Sequence, residues 1–156
     1  MTKQKNAFIN LNNAREAEQI KVMQKIADEA HCPFCSENLR LYHQLPALKE
    51  GKFWLVTLNQ WPYKHTKHHL LLIYKAHATK LADLKAAAGA ELFTLVKELE
   101  QEFSFEGGGL ALRFGDTDFS AGTVNHLHAQ LIVPDAMAAD FEPVRVKLGL
   151  QLEKRK

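Results

Sequence analysis

Two histidines and a glutamine, His126, His128 and Gln130, stand at alternate positions in the run AGTVNHLHAQLIVP, residues 121–134. Side chains on a strand alternate between faces. The three polar groups would then share one face, with Leu127, Ala129, Leu131 and Val133 on the other. Burying two imidazoles and an amide is costly unless each finds a partner or a metal. The pattern therefore points to a site. An imidazole held on a rigid strand is a good covalent nucleophile for phosphorus, and its N–P adduct is labile enough to be passed on. One ring nitrogen must be free to attack. The other must donate its hydrogen to a carbonyl or similar group, which sets the tautomer. The non-bridging oxygens need donors. Gln130 and the preceding loop, with Ser120, Gly122 and Thr123, can supply them. A phosphate nest of this kind needs no Walker motif, and the sequence has none. The plainer reading is a surface strand with its polar residues outward.

The only two cysteines, Cys32 and Cys35, form Cys-Pro-Phe-Cys. They are half of a metal site, a redox couple or an incidental buried pair. Zinc takes four ligands, and this spacing supplies two from one turn. His77 and His126 are the best-placed partners. The motif also resembles a glutaredoxin-type active site, but that reading wants a strand before it and a helix after it. Here a helical segment precedes it. His31, His43, His65 and His68 are read as ordinary surface or satisfied core residues.

The elements that must hold these groups follow from periodicity. Asn12 or Asn13 caps a helix running to about Ala30, with Ile20, Met23 and Ala27 on one side. Pro33 ends that unit, and residues 36–41 form a short turn or helix. Residues 52–58 and 67–74 are strands rich in β-branched, aromatic and leucine side chains, antiparallel to each other. Residues 81–84 make a turn, and 86–103 an Ala-rich amphipathic helix. Strands are expected at 110–114, 125–133 and 144–148. Strands grouped around one long helix indicate α+β with an antiparallel sheet.

The 156 residues suit one domain. A net charge of +2 argues against a nucleic-acid partner of the broad electrostatic kind. No apolar run approaches the ~20 residues of a membrane span, and the N-terminus lacks the apolar core of a secretory signal. No membrane partner is expected, and the location expected is the cytoplasm.

The run 121–134 resembles the signature of the histidine triad superfamily, in the His-x-His-x-Gln form of its transferase branch. That branch includes galactose-1-phosphate uridylyltransferase and the diadenosine tetraphosphate phosphorylases. The segment NQWPYKHTKHHLLLIYKAH, residues 59–77, is similar to the family's Asn-x-x-Pro, strand histidine and Pro-x-x-His, with Tyr74 in place of that proline. The CPFC pair resembles that of zinc-containing members. By position, the resemblance implies that His128 is the nucleophile, with Gln130 binding phosphoryl oxygens and His69 completing the polar cluster. Asn59 would hold the ribose and Thr123 would face phosphate. Gly122 and Arg113 fall near positions of further phosphate contacts. Cys32, Cys35, His77 and His126 would hold a structural zinc ion.

The expectation is a single histidine-triad-like domain over 1–156, with a helical extension at 1–30 and a tail at 149–156. It is α+β, with a five-stranded antiparallel sheet crossed by one long helix. The resemblance implies a homodimer, joined through an apolar patch on that helix or an exposed sheet edge. The expected activity is nucleotidyl transfer or phosphorolysis on a dinucleoside polyphosphate or related nucleotide, through a nucleotidyl-histidine. An amide at Gln130 cannot act as acid or base, which favours transfer over hydrolysis. The alternatives are a nucleotide hydrolase or phosphoramidase of the same fold, and a zinc-stabilised nucleotide-binding regulatory protein without significant turnover.

Overall fold

The computed structural model describes residues 5–150. Of the predicted extension and tail, residues 1–4 and 151–156 lie outside that range. A 3-10 turn, Leu11–Asn13, precedes helix α1, Ala17–Glu29, and α2, Ser36–Tyr42. Strands β1 (Ala47–Glu50), β2 (Trp54–Leu58) and β3 (Thr66–Tyr74) follow. A second 3-10 turn, Leu81–Asp83, leads into α3, Ala86–Phe103. Strand β4 (Gly109–Arg113), the short α4 (Thr117–Ser120) and β5 (His128–Pro134) complete the order. The five strands form one sheet, β1-β2-β3-β5-β4, antiparallel at every pairing.

Alternation divides the sheet as the sequence requires. Val56, Leu70, Leu72, Leu127, Ala129 and Leu131 face α3, which buries Ala88, Leu92, Leu95 and Leu99 against them. Trp54 is sealed in this layer and donates its indole N–H to the Ala88 carbonyl at 2.7 Å. The opposite face carries the polar side chains. It is partly roofed by a second apolar cluster in which Ile9, Leu11, Met23 and Ile26 meet Val124. The N-terminal segment therefore covers the face that holds the site.

Several boundaries differ from the sequence reading. Neither Asn12 nor Asn13 caps α1. Asn10 caps the 3-10 turn, and Asn13 donates to the Thr117 and Gly122 carbonyls. Such short amides compete with a helix for backbone partners, so α1 starts at Ala17. Strand β2 starts at Trp54, because the Glu91 carboxylate accepts from the N–H groups of Lys52, Phe53 and Trp54. The strand expected at 125–133 begins at His128, since Val124 and Asn125 pair with Ile9 and Phe8 of the N-terminal segment. Residues 144–148 are not a strand. The alternation there serves a wall of the site, and the Lys147 carbonyl accepts from Arg113 instead of a ladder partner. The fifth strand is Ala47–Glu50, a short edge whose ALKE sequence has no β-branched residue to announce it.

Candidate functional site

The start of β5 and the bend before it set the two histidines apart. His128 pairs across the sheet with Ile73 on β3 and Arg113 on β4. Its Nδ1 lies 2.7 Å from the His126 carbonyl. A carbonyl only accepts, so Nδ1 carries the hydrogen and Nε2 keeps its lone pair. Burial, with Arg113 adding to it, pushes the His128 pKa down to about 4, so the ring is neutral at pH 7. His126 lies just outside the strand and shows the opposite tautomer. Its Nε2–H donates to the Tyr74 carbonyl, and its Nδ1 turns toward the thiols. Phe34 packs edge-on against both rings, yet their hydrogen bonds differ. One bend assigns them to different sites.

Nδ1 of His126 lies 3.3 Å from Cys32 Sγ and 3.9 Å from Cys35 Sγ. His77 Nδ1 is 3.4 Å from Cys35 Sγ. The four donor atoms lie within 4.8 Å of one another. Two thiols and two imidazole nitrogens converging in this way could bind a metal ion, and the donor set fits zinc. Burial raises the pKa of both thiols, Cys35 to about 12, so a bound cation would be needed to hold them as thiolates. The redox reading lacks its strand: α1 precedes the motif and α2 follows it.

His128 and Gln130 open onto a cavity of about 770 Å³. Leu71, beside Gln130 in register, forms part of its floor. Asn59, Arg113 and Thr123 line it. His69 is buried one strand away. Its Nδ1 accepts from the Tyr63 N–H at 3.0 Å, so its Nε2–H donates to Gln130 Oε1 at 2.9 Å. Burial pushes the His69 pKa down to about 4, with Gln130 opposing and both Arg15 and Arg113 contributing. Asn59 holds the loop by accepting from the Trp61 N–H, and its amide nitrogen lies 3.2 Å from His69 Nε2. Ser120 and Gly122 line a smaller pocket of about 10 Å³ that His128 and Arg113 also border, and the Gly122 N–H donates to Ser120 Oγ at 3.4 Å.

The cavity also uses residues that no motif announces. Phe34, between the two cysteines, packs edge-on against His128 at 5.0 Å between ring centroids. Arg15 stacks 4.2 Å over the Tyr63 ring. His43, read as background, lines the cavity while its Nε2–H donates to Thr57 Oγ1 at 2.7 Å, whose own hydrogen goes to the Pro46 carbonyl. Phe34 was the one within reach of sequence reasoning, since a Cys-x-x-Cys turn held against His126 brings its middle residues close to His128.

An open antiparallel sheet with a neutral histidine in a cavity beside a Cys2His2 cluster that could hold a metal defines a small α+β protein with a candidate active site. The HIT domain model matches residues 54–137, more than half of the chain, and the chain belongs to that family. No curated protein sequence matches it. Its fold is similar to that of the histidine triad nucleotide-binding protein from Candida albicans, with a TM-score of 0.52, 19% identity and coverage of 72% of this chain and 85% of that one. A hypothetical protein from Leishmania major gives 0.51 and 20% over 72% and 76%. The HIT family hydrolase from Legionella pneumophila Philadelphia 1 gives 0.50 and 24% over 68% and 97%. No helix among the described residues is long and apolar enough to cross a membrane.

Proposed function

We propose that the chain is a nucleotidyltransferase or phosphorylase that acts on dinucleoside polyphosphates or related nucleotides through His128. The observation that carries this reading is the His128 tautomer. Its Nδ1–H is tied to the His126 carbonyl, and its Nε2 lone pair is left free in the cavity. That lone pair forms the N–P bond to the nucleotide's α-phosphorus. The P–O bond to the leaving group breaks, and the departing oxygen keeps the electron pair. An oxygen of inorganic phosphate or another acceptor then attacks phosphorus, and the N–P pair returns to Nε2.

Gln130 supports the phosphoryl oxygens. Its Oε1 is occupied by His69, so its NH2 is the group left to donate, a preorganised donor of the kind that stabilises developing charge. Thr123 and Arg113 serve the same oxygens, and Asn59 serves the ribose. Zinc bound by Cys32, Cys35, His77 and His126 would be structural. It would tie the CPFC turn to the bend that carries the His128 acceptor carbonyl. A homodimer is part of this reading, with Phe93 on α3, 67% exposed, on the candidate apolar face.

The test is turnover with labelled inorganic phosphate. Phosphorolysis puts the label in the released nucleotide and His128→Ala loses it. Label confined to free phosphate, with nucleoside monophosphate accumulating, selects hydrolysis instead.

A further inference from the structure

The cavity that holds His128 is lined by cations from several segments of the chain. Arg113 stands directly across the sheet from His128. Its Nη2 donates to the Tyr63 hydroxyl at 3.1 Å and to the Lys147 carbonyl at 2.9 Å. Arg15, from the segment before α1, lies over the same Tyr63 ring and is anchored by a 2.8 Å bond from Nη2 to the Trp61 carbonyl. Tyr63 in turn packs against His69, 4.6 Å between centroids. One aromatic ring thus spaces two guanidinium groups, the first beside the nucleophile and the second farther out. Arg15 Nε and Nη1 and Arg113 Nη1 have no hydrogen-bond partner among the described residues. The cavity lining as a whole carries Arg15, Lys64, Arg113, Arg145 and Lys147 against two carboxylates.

We infer that Arg15, Tyr63 and Arg113 form a binding site for the leaving phosphate chain, so that the substrate carries two or more phosphates beyond the reacting phosphorus. This rests on the nucleotidyl-His128 reading. Planar guanidinium groups bind phosphate bidentately, and a pair held at two depths matches a chain better than a single phosphate. The chemistry of departure agrees. When His128 Nε2 bonds to phosphorus and the P–O bond breaks, a polyphosphate leaves as an anion and needs no proton at neutral pH. An amine leaving from a phosphoramidate must take one up, and Gln130 beside the nucleophile has none to give. Two guanidinium groups stabilise the departing negative charge without proton transfer.

The experiment compares two substrates with the same nucleotidyl group, a dinucleoside tetraphosphate and a nucleoside 5′-phosphoramidate, on wild-type protein, Arg15→Gln and Arg15→Lys. Charge-assisted contacts of this kind correspond to about a tenfold effect or more. The ratio of kcat/KM values, tetraphosphate over phosphoramidate, falls at least about tenfold in Arg15→Gln and is partly restored in Arg15→Lys. Inorganic tripolyphosphate, used as a competitor, inhibits the wild type more strongly than Arg15→Gln. A ratio unchanged by Arg15→Gln, with tripolyphosphate inhibition also unchanged, overturns the inference. Tyr63→Phe gives a second reading should Arg15→Gln fail to fold. It frees Arg113 from its hydroxyl partner and lowers the ratio, and an unchanged ratio again counts against the site. Trapping of nucleotide on His128 is measured in the same samples. An adduct with an unchanged ratio rejects only this inference, and no adduct in the wild type rejects the reading beneath it.

Discussion

His69 and Gln130 are joined by a 2.9 Å hydrogen bond whose direction is set from outside the pair. The Tyr63 N–H occupies His69 Nδ1, which places the hydrogen on Nε2 and makes Gln130 Oε1 the acceptor. The amide NH2 is then the part of Gln130 available to a ligand. Gln130→Glu replaces that donor with a negative charge facing phosphate. Adduct formation on His128 is expected to fall about a hundredfold, on the scale of losing a preorganised donor, as measured by single-turnover quench. Gln130→His is expected to raise the ratio of hydrolysis to phosphorolysis, because an imidazole can activate water.

The same pair gives a pH dependence. The His69 pKa is lowered in the fold to about 4 from an ordinary value of 6.5. Between those values the unfolded chain binds the proton that the folded chain refuses. Its contribution to stability is therefore full above about pH 6.5 and declines as pH falls toward 4. The decline amounts to about 2–3 kcal/mol. Urea midpoints for wild type and His69→Asn, compared at pH 7 and pH 5, test this. The wild type loses more than the variant on acidification, and the difference between them removes contributions shared by the metal ligands.

Metal removal should act on stability before chemistry. A strong chelator, or Cys32→Ser, is expected to lower Tm by about 10 °C or more in a protein of this size. Elemental analysis should find one zinc per chain in wild type and none in the Cys32→Ser variant. A wild-type chain that carries no metal and melts at the same temperature with chelator contradicts the zinc assignment.

The layer behind the site can be weakened separately. Leu99 is completely buried between α3 and the sheet, on the face opposite His128. Leu99→Ala is expected to cost about 3 kcal/mol of stability, read from urea unfolding, while the folded variant still forms the nucleotidyl adduct.

Sequence reading reached furthest where one local rule decided the outcome. The helix over 86–103 matches α3 because its apolar spacing and its burial against the sheet coincide. Period two correctly sent Leu127, Ala129 and Leu131 to the core and His128 and Gln130 to the other side. It did not show where the strand starts: pairing of Val124 and Asn125 with the N-terminal segment bends the chain at His126, before the strand begins. That pairing is non-local, so no window around residue 126 contains it. The four metal-type ligands were legible because Cys-x-x-Cys is chemically explicit and, of eight histidines, His77 and His126 stand at the ends of predicted strands. Arg15 was not, because one arginine before a helix looks like solvent-facing charge until Tyr63 is brought beneath it. The segment 144–148 shows the converse error, an alternating pattern that lines a cavity without joining the ladder.

The most direct test of the central claim is to find the covalent bond. The protein is incubated with a panel of labelled nucleotides, quenched, and digested under conditions that preserve N–P bonds. The account predicts a nucleotidyl mass increment on the peptide containing His128, localised to that residue and absent from His128→Ala. An increment on another residue, or normal turnover by His128→Ala on the same nucleotide, would contradict it.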